Sequence, residues 1–528
     1  MTGGDPGAIT LLLRGAPTLR ALELTLDSVL GQTFADFTLL VARNGLDPDG
    51  MALVARYGDP RFVVTEPSAD AAFGGFAFAE IPPGAVLQPI WLAHLVDALA
   101  AAPTAGVALC HCTLFDGTSL RPGPALPAGA LWRASYLREA RADPADTASL
   151  VAAAAARGAT ITHAARLLIL RTPGPPPRKQ RRLPTRICGR AYHPADIEAE
   201  RPPTLFVVVD TEAEFDWEAP FTPDMSSVLA LHALPSAQDI FDRYGLRPVY
   251  LIDYPVASQP DGIAAIHAIT GRGAAAIGAH LHPWTTPPLE APIDRRRSFP
   301  GNLPEAEEAA KLDALLAIIA QNFGAPPVFY KAGRYGIGPN TARLIAARGA
   351  KVDFSLLPET DLRHVQGPDF RMVNAIPYQV AGLDLLSIPM TRADVGPLSR
   401  WWRLRGWLDT QTAALLHVRA FLSRAGLLER LTLTPEGVDA RLQIVLLQTL
   451  LRRGHRLFVL HFHSPSLAAG HTPYVRTEAE RAAFLARIDA VCRWFFEELG
   501  GVPGRPWDLL VPEQRGRREE RVLLPARH

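Results

Sequence analysis

The sequence predicts an α/β protein of two blocks, the larger one barrel-like, and three observations carry that expectation. Short apolar runs of strand character alternate with helical periodicity along most of the 528 residues. The stretch "RTPGPPPRKQRRLPTR", 171–186, interrupts them: its prolines suit neither helix nor sheet, and its basic run stays solvated or docks on anionic lipid head groups. The longer block repeats the strand–helix unit roughly seven times. The boundaries follow as residues 1–170, a linker at 171–203, residues 204–515 and a charged tail at 516–528.

In the first block "AITLLLRG" reads as a strand, "TLRALELTLDSVLGQT" as an amphipathic helix and "FTLLVAR" as a strand. "PIWLAHLVDALAA" then reads as a helix and "GVALCHCTLF" as a strand. That alternation predicts a parallel sheet. The second block opens with the strand "TLFVVV" and the helix "SAQDIFDRYG", followed by the strand "RPVYLID", a helix near "GIAAIHAITGRG" and the strand "AAIGAHLH". The helix "EAEEAAKLDALLAIIAQNFG", the strand "PVFYKAG", the helix "NTARLIAARG" and the short strand "VDFSL" come next. Helical material from about Trp401 to Arg453 leads to the last strand, "RLFVLHFH". In a (β/α) barrel the chemistry lies at the C-terminal ends of the strands.

Composition narrows the function classes. A formal net charge of +1 argues against a nucleic-acid partner held by a broad basic surface. Four scattered cysteines make no disulfide framework, and "CHC" at 110–112 reads as a buried strand end rather than a metal site. The N-terminus lacks a basic n-region, and no apolar run reaches the roughly 18 residues of a membrane span, so the expected location is the cytoplasm. The 48 prolines, with abundant Ala and Arg, suggest a GC-rich bacterial source.

"TLFVVVDTEAEFDW", 204–217, ends an apolar run in acids at alternate positions, Asp210, Glu212, Glu214 and Asp216. A continuing strand would set them on one face, where each raises the cost of ionising its neighbours unless water or a cation compensates. Other strand ends add His280 and His282 in "HLHPW", Lys331, Arg334 and Tyr335 in "YKAGRYG", Asp353 in "DFSLLP", and His461 and His463 in "HFHSPS". Carboxylates and imidazoles converging on one rim predict a metal site. Hydrolysing an amide or ester with a divalent cation takes imidazole and carboxylate ligands, an open position for water, a carboxylate base and an imidazolium acid. Asp210 and Glu212 suit the ligand and base tasks, and His461 or His463 the acid. Glu214 and Asp216 read as solvated or supporting acids, Asp253 as a strand-end residue on the same rim, and His471 as a loop residue. Trp284 either walls a sugar ring or packs.

The order of these motifs resembles that of the NodB-type polysaccharide deacetylases, carbohydrate esterases with a seven-stranded distorted (β/α) barrel that remove N- or O-acetyl groups from glycans. The resemblance spans about residues 204–500. "DTE" resembles the branch with one residue between its two acids, which implies Asp210 as base and Glu212 as metal ligand. "HLH" implies His280 and His282 as ligands, and Asp353, Ser355 and Pro358 match an Asp-x-Ser-x-x-Pro signature. "FHSPSL" implies His463 as general acid, with His461 either orienting it or packing in the strand. A backbone N–H near Tyr335 is the expected oxyanion donor.

Two departures stand beside the matches. The usual His pair is spaced i, i+4, whereas here 284 is Trp and the pair is i, i+2, which on an extended segment still points both rings to one side. Lys331 stands where the third motif usually carries an Arg that orients the catalytic Asp. Lys cannot make a bidentate contact, so either Arg334 substitutes or the base is tuned differently.

In the first block, "LDSVLGQTFADFTLLVARNG" resembles the opening of family 2 glycosyltransferases. The acids that read a nucleotide base in working members are replaced by Arg43 and Asn44, and the Asp-x-Asp that binds a cation under the diphosphate by Glu80-Ile81-Pro82. Without that acid pair the diphosphate has no evident metal bridge, which implies an inactive domain that binds glycan or partner proteins.

The expectation is a deacetylase using a divalent ion, Zn with Co, Ni or Mn as alternatives, on an acetylated glycan or a lipid- or nucleotide-linked sugar. Its setting would be bacterial envelope polysaccharide or lipopolysaccharide synthesis at the inner face of the membrane. The alternatives are a non-catalytic glycan-binding or scaffold protein and a working glycosyltransferase.

Overall fold

The structure is a computed structural model that describes residues 9–14, 18–66, 72–73, 75–81, 84–102, 104–115, 120–125, 130–139, 150, 160–171, 185–195, 202–215, 219–271, 275–289, 292–400, 422 and 427–510. The expected tail, most of the linker, Pro82, Asp216 and 401–421 lie outside the described residues. The chain divides into two compact units, Met1–Pro177 with Arg493–Pro503, and Arg178–Cys492 with Gly504–His528. Among the described residues no helix is long and apolar enough to cross a membrane.

The first unit is built on β1 (Ile9–Arg14), β2 (Phe37–Ala42), β3 (Phe62–Thr65), β4 (Ala77–Ile81), β5 (Val86–Leu87), β6 (Ala105–Phe115), β7 (Leu120–Ala125), β8 (Leu131–Arg133) and β9 (Thr160–Arg171). Thr18 caps the helix Leu19–Leu30, its hydroxyl accepting from Ala21 N at 3.1 Å. Leu22, Leu26 and Val29 then recur at helical spacing against Leu11, Leu13 and Leu39 of the sheet. Gln32, the glutamine of "LGQT", is buried and pins a turn: Leu92 N donates to its Oε1 at 2.9 Å, and its Nε2 donates to Gln88 O at 2.8 Å. The expected parallel sheet is only partly formed. β3, β2, β1 and β4 run parallel, but β8 is antiparallel to both β4 and β6, and β7 to β6. The link between β6 and β7 is too short for a crossover and permits only an antiparallel pair. Cys110 is buried as expected, but it lies in the middle of β6 and not at a strand end; the side chains of His111 and Cys112 lie outside the described residues.

The second unit contains β10 (Thr185–Ile187), β11 (Arg190–Pro194), β12 (Thr204–Thr211), β13 (Val249–Ile252), β14 (Ala276–Leu281) and β15 (Phe329–Ala332). β16 (Val352–Asp353), β17 (Tyr378–Val380), β18 (Leu386–Ser387), β19 (Arg392–Val395), β20 (Glu429–Thr432) and β21 (Leu457–His463) complete it. The run β18-β16-β15-β14-β13-β12-β21 is parallel at every pair. Register sets site residues side by side: Asp210 opposite His463, His280 opposite Lys331, and Tyr330 opposite Asp353. No ladder among the described residues joins β21 to β18, so a closed seven-stranded barrel is not formed by strand pairing. Beyond β21 the flank is covered instead by loop contacts: His461 N donates to Leu433 O at 3.1 Å, and Leu433 N to Thr391 O at 2.8 Å.

Two regions differ from expectation. Residues 185–194, read as linker, form the β10–β11 hairpin, which pairs with β17. Its two-residue turn is Cys188-Gly189, both at positive φ (47° and 81°), the geometry that twists a hairpin correctly but is usually signalled by Asn-Gly. Within the stretch read as helical up to Arg453, Glu429–Thr432 is strand β20, paired with β19, and the helix is Ala440–Arg452, capped by Asp439.

Gly301 N donates to Gly336 O at 2.7 Å, and a Cβ on Gly301 would lie 2.0 Å from Gly338 N. Gly301→Ala is therefore expected to lower unfolding free energy by about 1–3 kcal/mol in denaturant titration. A change within about 0.5 kcal/mol, the range of an ordinary surface substitution, would show that the two loops do not need this approach.

Candidate metal centre

β14 and the residue after it present His280 and His282, and the end of β12 leads into Glu212. His280 Nε2 lies 3.4 Å and His282 Nε2 3.3 Å from Glu212 Oε2, and all three side chains are at most 3% exposed. The other nitrogens differ: one is hydrogen-bonded, and His282 Nδ1 is buried without a hydrogen bond. His280 Nδ1 donates to Lys331 O at 3.0 Å, which fixes the tautomer and leaves Nε2 bare; His282 Nδ1 faces Asp253 Oδ2 at 3.4 Å. Asp253, 0% exposed, accepts from Ala213 N at 2.9 Å and so ties the Glu212 segment to β13. Two imidazoles and a carboxylate with ligand atoms within 4.8 Å of one another fit a divalent cation. Gly333 completes the cradle: a Cβ there would meet His282 Cδ2 at 2.4 Å.

Asp210 is buried beside this triad. Its Oδ2 accepts from Lys331 Nζ and lies 3.0 Å from His461 Nε2, while Oδ1 is buried without a hydrogen-bond partner. Burial favours the neutral acid, but the Lys331 ammonium, with His461 and His280, outweighs it and holds the carboxyl well below its ordinary range. Glu212 is likewise lowered, burial being overcome by His463, His280 and His282. Burial and the Lys331 charge push His461 down to about 4. The neutral ring accepts from Lys331 Nζ at 2.8 Å.

His463, two residues on, goes the other way. Burial lowers its pKa, but Glu436 first, then Glu212 and Asp210, carry it up to about 9. Its Nδ1 lies 2.8 Å from Glu436 Oε2, and its backbone N donates to Oε1 of the same carboxylate at 3.1 Å. Ser466 Oγ also donates to Glu436, at 2.6 Å. His463 Nε2 is 3.7 Å from Asp210 Oδ2. Glu436 carries no signal in the sequence because it sits in "TLTPEGVDA", within a stretch that reads as helical and follows no predicted strand.

The other predicted residues take supporting places. Asp353 accepts from the Ser355 and Ser387 hydroxyls, the latter at 2.8 Å, and Ser355 Oγ accepts from Ala332 N at 2.8 Å, which anchors the strand end carrying Lys331. Burial raises the Asp353 pKa against those hydroxyls. Trp284 is fully buried and stacks on His282, ring centroids 4.3 Å apart, so it orients that ring and offers no sugar-facing wall. Arg334 does not replace the expected Arg: it donates to Ser298 Oγ and lies over Phe221 and Phe299, while Lys331 alone reaches Asp210. Arg334 and Tyr335 both have positive φ, 56° and 57°, a strained turn of the kind held at functional sites. The half-buried Tyr335 ring lies 4.5 Å from Lys331 Nζ. Glu214 is a loop pin, accepting from Ser227 Oγ at 3.1 Å and pairing with His471 at 2.7 Å. In the first unit, Glu80 is paired with Arg14, and Arg43 and Asn44 are exposed.

The sequence matches no family profile, and no curated protein matches it. Among solved structures, a Mycobacterium smegmatis protein named as a polysaccharide deacetylase aligns at TM-score 0.32 and 17% identity, over 57% of this chain and 87% of that one. The chitin deacetylase of the fungus Colletotrichum lindemuthianum aligns at 0.22 and 11%, over 36% and 73%. The mannosyltransferase PcManGT of Pyrobaculum calidifontis, in complex with GDP-Man and Mn2+, aligns at 0.25 and 16%, over 33% and 60%. These are the two kinds of protein that the two motif sets resemble. Scores this low carry no activity or substrate across to this chain.

Because the Glu436 carboxylate holds the His463 proton, Glu436→Gln is expected to lower the His463 pKa by about one to three units. An NMR pH titration of the His463 ring then shows its midpoint moved to lower pH. A midpoint that stays in place would remove Glu436 from this role.

Proposed function

We propose that the second unit, from about residue 204, is a metal-dependent deacetylase that removes an acetyl group from a sugar. The observation that carries this is the pairing of one buried His-His-Glu donor set with a lysine-held carboxylate on one side and a carboxylate-held imidazolium on the other. Glu212, His280 and His282 would hold the divalent ion, with Zn the first choice and Co, Ni or Mn alternatives. A cation there supplies the positive charge that polarises a carbonyl and acidifies water.

The residues of this chain divide the remaining work. Asp210 would take a proton at its buried, unpartnered Oδ1 while Lys331 fixes Oδ2, so the base is aimed by a point charge rather than a guanidinium fork. His463 donates a proton from Nε2 to the leaving nitrogen or oxygen, its Nδ1 held by Glu436. The turn at Arg334 and Tyr335, both at positive φ, would supply the backbone N–H groups that serve as oxyanion donors. The substrate class is an acetylated glycan or a lipid- or nucleotide-linked sugar of bacterial envelope synthesis, met on the cytoplasmic side.

For the first unit, the Arg14–Glu80 pair supports a transferase-like domain without transferase chemistry, since its one carboxylate at the expected cation position is already compensated. It would hold glycan or a protein partner.

Asp210→Asn is expected to cut acetate release from acetylated sugars by at least about 100-fold while the protein still takes up its divalent ion; equal release by both proteins would remove Asp210 as base. The double variant His280→Ala/His282→Ala should take up no ion, and full retention would move the centre elsewhere. Calorimetry with UDP- and GDP-sugars should give no heat of binding, and a signal lost in Glu80→Gln would restore the transferase reading.

A further inference from the structure

We propose that Lys311 is a positioning residue for the metal centre: its buried ammonium gathers three backbone carbonyls of the loop 283–288 and thereby fixes the seat of His282. The inference rests on the metalloenzyme reading. Lys311 lies on the long helix Glu305–Phe323 and is 1% exposed. Its Nζ donates to Pro283 O at 3.0 Å, Thr286 O at 2.7 Å and Pro288 O at 2.5 Å, which uses all three of its N–H groups. Glu307, the acid whose charge acts on Lys311, is bonded through both oxygens to Arg297 Nη2 at 2.7 Å. The lysine charge is therefore compensated by carbonyl dipoles of one loop.

That loop begins at the residue after His282 and carries Trp284, the ring stacked on the His282 imidazole. Little else of a polar kind holds it. Trp284 Nε1, Thr285 Oγ1 and Thr286 Oγ1 are buried without hydrogen-bond partners, and its backbone is closed by Thr286 N donating to His282 O at 3.1 Å. Removing the ammonium leaves two buried carbonyls and one part-buried one unpaired, a penalty the loop escapes by moving. Any such movement carries Trp284, and the ring of His282 with it. An outer group that orients a ligand in this way typically shifts metal affinity 10- to 100-fold.

The test compares wild type, Lys311→Met and Leu315→Ala, the last removing buried apolar contact one turn along the same helix. Zn2+ affinity is measured by chelator competition, and hydrogen exchange at the amides of Trp284, Thr285 and Thr286 in metal-free protein. Lys311→Met should weaken Zn2+ binding by about 10- to 100-fold and speed exchange of those amides. Leu315→Ala should lower the melting temperature and leave both readouts near wild type. Affinity within about threefold of wild type in Lys311→Met, or an equal loss in Leu315→Ala, overturns the proposal, since a positioning role demands the larger, site-specific change. If wild type takes up no divalent ion, the metalloenzyme reading fails and the exchange measurement alone decides on Lys311, unchanged rates overturning it. If Lys311→Met does not fold, Lys311→Gln takes its place under the same criteria, because its amide keeps two of the three donors.

Discussion

The second unit is organised around the contact between Asp210 and Lys331, two charged side chains at most 2% exposed. An unpaired charge at such a site costs several kcal/mol even after relaxation, so each group makes the other tolerable. The pair also constrains the sheet. Asp210 ends β12 and Lys331 lies on β15, with β13 and β14 between them. Three strand spacings of a flat sheet would hold them roughly 14 Å apart. Contact across that interval requires the parallel run to curl, and the curl brings the ends of β12, β14, β15 and β21 around one centre.

Two clusters share that centre, and in one of them two histidines are driven in opposite senses. His280 Nε2 lies 3.4 Å from Glu212 and 3.9 Å from Asp210, so the cation side and the base side are adjacent. His461 and His463 occupy one strand two residues apart, yet the first faces the Lys331 ammonium and the second the Glu436 carboxylate. Their pKa values separate to about 4 and about 9. Environment alone makes one ring neutral and the other charged.

Much of this was legible in the sequence because parallel strands buried on both faces read as apolar runs, and the residues that end them stand out. Asp210, Glu212, His280, His282, Lys331, Asp353, His461 and His463 all follow such runs, and the structure gathers them. Glu436 and Lys311 gave no such signal: one lies in a loop near Pro435, the other on an amphipathic helix where a lysine reads as solvated. The β10–β11 hairpin was hidden by its Cys-Gly turn, and β17 and β18 by their brevity. Arg334 looked interchangeable with Lys331 in sequence, but its positive φ turns it toward Ser298 and two phenylalanines. Trp284 illustrates the same limit, since adjacency to a histidine does not say whether an indole faces sugar or packs.

The central claim is that Glu212, His280 and His282 form one divalent-ion site. X-ray absorption of the Zn- or Co-loaded chain tests it most directly. The account predicts about one ion per chain, with imidazole nitrogen and carboxylate oxygen donors at about 2.0–2.2 Å. A spectrum without imidazole scattering, or a chain that takes up no ion at stoichiometric concentration, would contradict it.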